Sequence, residues 1–124
     1  MKDKKPLFKT LKAGVYPYDV LFTIGSTEEQ IIKYIENNCG YKLDSEEKKY
    51  IDVKNKGGKT IRFKNNALFI WVKTDYIPII AHEIFHAVEL LMEKIDTPLN
   101  SDTSEPYAYL IEYFWREILP YIKK

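Results

Sequence analysis

Apolar residues in the last third of the chain recur at three- and four-residue spacing: Ile77, Ile80, Ala81, Ile84, Phe85, Val88, Leu91 and Ile95. That period predicts a helix with one broad apolar arc. A second helix is predicted from Ser104, an N-cap, through Pro106 in its first turn to about Leu119, just before Pro120. Its apolar arc is Tyr107, Ala108, Leu110, Ile111, Phe114, Trp115 and Ile118, and Glu105, Tyr109, Glu112 and Arg116 form a polar stripe opposite.

Upstream the spacing shortens. Val15 to Ile24 reads as a strand ended by Gly25-Ser26, and Ser26-Thr27-Glu28-Glu29 reads as a capping box opening a helix from Thr27 to about Asn38. Ile31, Ile32, Tyr34 and Ile35 give that helix its buried face, and Asn37-Asn38-Cys39-Gly40 stops it. Lys42 to Lys49 is charged and has no clear period. Tyr50 to Val53, Thr60 to Phe63 and Ala67 to Val72 then read as an antiparallel meander, with turns at Lys56-Gly57-Gly58 and Asn65-Asn66. Gly57-Gly58 is a turn and not a phosphate loop, since no helix follows it directly and no Gly-Lys-Ser/Thr is present. No repeat or linker interrupts the order. The pattern predicts an α+β fold, a small, mostly antiparallel sheet packed on helices.

Within the first of the two C-terminal helices stand His82-Glu83-Ile84-Phe85-His86. At 3.6 residues per turn the two imidazoles lie within about 40° of each other, so one ion can take both. Glu83 is rotated about 100° from His82, too far to be a ligand beside them but able to reach a water on the metal. Both histidines lie almost opposite the apolar arc, which separates them from the satisfied core histidine that is the commoner occupant of an apolar helix.

A catalytic zinc uses three protein ligands and leaves a position for water. The chain has two histidines and one cysteine, Cys39, so the third donor is expected to be a carboxylate. If the polar stripes of the two helices converge, Glu105 or Glu112 completes the set. Glu105 follows His86 by nineteen residues, enough for the rest of one helix and a return loop through Asp96-Thr97-Pro98. Glu112 stands four residues before Arg116, the orientation of an ordinary helix-surface ion pair. Glu89, three residues after His86, reads as an outer residue supporting the ligands or as a solvated one, because adjacent turns of one helix give three ligands poor tetrahedral angles.

These residues resemble the gluzincin zinc metallopeptidases, and residues 76 to 115 resemble short phage-encoded proteins of unknown substrate. The likeness rests on His82-Glu83-Ile84-Phe85-His86-Ala87-Val88 and Glu105-Pro106-Tyr107-Ala108-Tyr109-Leu110, with a weaker echo in Tyr16-Pro17-Tyr18-Asp19-Val20. The resemblance implies a zincin-like domain spanning residues 1–124, a zinc ion on His82, His86 and Glu105, and Glu83 as general base. It implies a peptide or protein substrate. It also implies that a sheet edge beside the site pairs with an extended peptide, for which residues 67 to 73 are the expected strand. Larger gluzincins place an acid four residues after the ligand Glu; here that position is Tyr109, which could orient a ligand or donate to a developing oxyanion. Tyr113 is a second, less specific choice for that donor.

Composition narrows the rest. With 124 residues, 45% hydrophobic, the chain builds one core. Nineteen basic against eighteen acidic residues give a formal charge of +1 and no electrostatic case for nucleic acid. The basic start Met1-Lys2-Asp3-Lys4-Lys5 reads as a solvated terminus. No apolar run approaches a membrane span, and none near Met1 has a signal-peptide core, so a cytoplasmic location is expected. Cys39 is expected to be a small buried hydrophobe. Two function classes follow: a zinc-dependent hydrolase, or a non-catalytic metal-containing module that binds another protein.

Overall fold

The computed structural model describes residues 6–11, 19–65, 67–97 and 99–122. In chain order the elements are β1 (Leu7–Leu11), β2 (Val20–Ile24), α1 (Glu28–Asn38), α2 (Ser45–Tyr50), β3 (Gly58–Arg62), β4 (Leu68–Val72), α3 (Ile77–Lys94) and α4 (Ser104–Ile118). A short 3-10 turn, Leu119–Tyr121, follows.

The four strands form one mixed sheet in the order β1-β2-β4-β3. Its two outer pairings are antiparallel and its central pairing, β2 with β4, is parallel. The hairpin half of the predicted meander, β3 with β4, is antiparallel as expected, whereas β2 joins the same sheet through a parallel pair. A parallel pair needs a long crossover, and the segment from α1 through β3 provides it. The composition of the two central strands fits their place, since a strand covered on both faces is apolar throughout and does not alternate. Every residue of Leu68-Phe69-Ile70-Trp71-Val72 is buried.

Alternate side chains of β2 and β4 feed two cores. Val20, Phe22, Leu68, Ile70 and Val72 meet α3 and α4 on one face. Leu21, Phe69 and Trp71 meet α1, Leu43 and Ile51 on the other. The sheet therefore lies between two layers, and both C-terminal helices share one of its faces.

Several local readings shift. Residues 15 to 18 of the first predicted strand lie outside the described residues; the remainder forms β2. The capping box of α1 is one residue later than expected: Thr27 Oγ1 accepts from the Gln30 N–H and the Gln30 side chain accepts from the Thr27 N–H. Residues 51 to 53 are not a strand. The charged segment before them folds as α2, capped reciprocally by Asp44 and Glu47. Cys39 is exposed at the C-cap of α1, not buried, and desolvation pushes its thiol pKa upward, which argues against a nucleophilic role. No described helix is long and apolar enough to cross a membrane.

Glu47 ties α2 to the β3–β4 hairpin. Its carboxylate is 2% exposed and accepts from the Tyr41 hydroxyl, from the Asp44 N–H at 3.2 Å and from the Lys64 N–H at 2.9 Å. Burial pushes its pKa up, but the hydrogen bonds from Tyr41, Lys64 and Asp44 outweigh burial and hold it below the ordinary 4.5. A carboxyl lowered on folding contributes stability that is fully present above the unfolded pKa and is lost as pH falls through the folded one. Glu47→Gln is therefore expected to cost about 2 kcal/mol near pH 7, with urea unfolding as the measurement. The wild type should lose stability more steeply than the variant as pH drops below 4.5.

Candidate metal centre

α3 starts at Ile77 with Pro78 in its first turn, where the missing N–H costs no helical bond, and runs to Lys94. Its buried residues are Ile80, Glu83, Ile84, Ala87, Val88, Leu91 and Met92. Three members of the predicted arc, Ile77, Ala81 and Phe85, are exposed, and an acid that the pattern placed outside is inside. The buried arc is turned toward Glu83 because β3 packs against that flank of the helix.

His82 and His86 project from the outer face of α3. Their Nε2 atoms stand 3.2 Å apart. Two nitrogens each about 2.0–2.1 Å from a tetrahedral zinc would be separated by about 3.3–3.4 Å, so this spacing suits a shared ion. A hydrogen bond between two neutral rings, one donating and one accepting, also fits the distance. Behind His86, Glu89 Oε1 lies 3.6 Å from Nδ1. That carboxylate favours a proton on Nδ1, the tautomer that leaves Nε2 free to bind a metal.

Glu83 takes a different direction. It is 6% exposed, and its Oε1 is 2.5 Å from Thr60 Oγ1 on β3. The same hydroxyl lies 3.1 Å from the Glu83 main-chain oxygen. Gly58 makes this approach possible. A Cβ there would stand 2.8 Å from Ile79 Cγ2 and 2.9 Å from both Cγ and Oε2 of Glu83. Gly58 is thus less a turn residue than the point where helix and strand come closest, a role that only the absence of a side chain allows. β3 is the strand beside the site. Residues 67 to 73, the expected sheet edge, largely form β4, which is paired on both sides.

The structure does not bring Glu105 to the histidine pair. Among the described residues no group of three His, Cys, Asp or Glu side chains converges to hold an ion. Both helices give their apolar faces to the same side of the sheet, so their polar stripes point outward alongside each other instead of converging. Glu105 is exposed in the first turn of α4, whose Tyr107 hydroxyl bonds the Thr97 main-chain oxygen beyond the end of α3. His86 is eight residues before that end, about 12 Å along the helix axis. Tyr109 sits on the outer side of α4 at 67% exposure. Tyr113 is half-buried against Phe114. Glu112 makes the ion pair its spacing predicts, 3.0 Å from Arg116.

Compared with known protein families, curated proteins and solved structures, the chain matches none. Thr60 and Gly58 are the members of the site that sequence reasoning missed.

Two outcomes are expected. Zinc titration followed by calorimetry should find about one ion per chain, lost in His82→Ala and in His86→Ala but kept within about threefold in Glu105→Ala. Gly58→Ala should lower stability by about 1–3 kcal/mol in urea unfolding, since the added methyl pushes Ile79 and Glu83 off β3.

Proposed function

We propose that the chain is a zinc-dependent hydrolase acting on peptides, with the ion on His82 and His86 and Glu83 as the general base. The observation that carries this reading is the meeting of the two Nε2 atoms on the helix that also carries Glu83, whose carboxylate is fixed against β3. Zinc held there would supply a water of near-neutral pKa and polarise the scissile carbonyl. Glu83 accepts a proton from the attacking water and returns it to the leaving amine, so the base is regenerated in each cycle. Glu89 keeps the His86 ring turned with Nε2 outward. β3 and α3 together screen one side of Glu83 from bulk water.

One observation favours a second reading. A catalytic zinc ordinarily has three protein ligands, and the third that the gluzincin resemblance implies, Glu105, lies away from the pair. A module that binds a protein without cleaving it needs no metal-activated water, so the incomplete ligand set counts against catalysis and not against binding.

A single comparison separates the two. Purified protein and its Glu83→Gln form are each incubated with a peptide mixture, with and without chelator. The enzyme reading expects chelator-sensitive cleavage by the wild type and a fall of at least about a hundredfold in the variant, at unchanged zinc content. Zinc uptake by both forms with cleavage by neither would favour the binding module.

A further inference from the structure

We propose that Thr60 is a positioning residue for Glu83, which makes strand β3 a working part of the site and not only its support. The assignment rests on Glu83 being the base. A threonine hydroxyl has one proton to donate, and two acceptors of the same residue compete for it: Oε1 at 2.5 Å and the main-chain oxygen at 3.1 Å. The carboxylate oxygen is nearer and charged, so it takes the proton. A weaker share of the same proton reaches the main-chain oxygen, which keeps the hydroxyl over the helix, and the β-branched side chain restricts its rotation. Glu83 is thereby held by its carboxylate to a point on β3 that is itself in register with its own backbone.

The two carboxylate oxygens end in different surroundings. Oε1 is occupied by Thr60, whereas Oε2 receives no hydrogen bond from any described residue. No buried side-chain oxygen among the described residues lacks a partner, so Oε2 is reached by solvent. The empty side of Gly58 leaves it that room, because a Cβ there would lie 2.9 Å from Oε2. One oxygen anchored and the other open to water is the division of labour a general base needs. Proton abstraction is sensitive to placement, and a displacement of about 1 Å can cost about a hundredfold in rate.

A purely structural bond would affect stability and leave the chemical step alone. The test compares wild type, Thr60→Val, Thr60→Ala and Thr60→Ser, each loaded with zinc, on a mixture of quenched-fluorescence peptides. Side-chain couplings of Glu83 are measured in parallel by NMR on the zinc-free proteins. The proposal expects kcat to fall by about tenfold to a hundredfold in Thr60→Val, with KM and zinc content within about twofold. Thr60→Ser should restore most of the rate, and Glu83 should hold a single rotamer in wild type and Thr60→Ser but average in Thr60→Val. Should the valine form not fold, Thr60→Ala carries the same comparison. Wild-type kcat in the folded hydroxyl-free variants, or equal losses in the serine and valine forms, overturns the role of Thr60 and leaves Glu83 as the base. Zinc uptake by the wild type without chelator-sensitive cleavage overturns the hydrolase reading, and the assignment of Thr60 falls with it.

Discussion

A carboxylate buried where a helix meets a sheet edge is the constraint around which this half of the molecule is arranged. Placing Glu83 against β3 removes a charged group from most of its water, a cost that is recovered only when the group is hydrogen-bonded. Thr60 supplies the bond and Gly58 the space. Neither works without the other. A larger residue at 58 would hold the helix off, and without the hydroxyl at 60 the carboxylate would lose its side-chain hydrogen bond to β3. The rotation of α3 follows: with Glu83 turned inward, His82 and His86 point outward on the same helix.

The layered architecture completes that arrangement. Because β2 and β4 are covered on both faces, α3 and α4 are committed side by side to one surface of the sheet. Both helices bury one face there and leave the other to solvent. The histidine pair can therefore present its Nε2 atoms to an ion without disturbing the core. The same geometry explains why the acids of α4 do not reach the pair: they leave their helix in the direction the histidines leave theirs.

Much of this was legible in the sequence where one periodicity ruled a whole element. The 3.6-residue period found α1, α3 and α4 within a residue or two of their ends, and alternation with Asn-rich punctuation found the β3–β4 hairpin. Short elements with mixed patterns were less visible. β1 has only five residues in a lysine-rich opening, and α2 has no apolar period, its one signal being the Asp44-x-x-Glu47 capping pattern. The parallel pairing of β2 with β4 left only an indirect sign, the unbroken apolar run of β4. At the site, the two histidines followed from spacing alone. The inward turn of Glu83 did not, because helical period treats an acid as an outer residue. The available hint was the small residue Gly58 two places before Thr60, a strand position where something comes close.

The distribution of these contacts along the chain bears on the order in which they can form. Thr60 and Glu83 are 23 residues apart, and the contacts described above for Glu83 and for the histidine pair fall between Gly58 and Glu89. The central strand pairing instead joins partners such as Val20 and Leu68, 48 positions apart. Loop closure becomes less favourable as the intervening chain lengthens, and non-local pairings slow folding. The hairpin with its following helix is therefore the most local unit of the domain, able to collapse as one piece before β2 docks. The residues of the candidate site would then be gathered early in folding, and the long-range sheet pairing would lock them in afterwards.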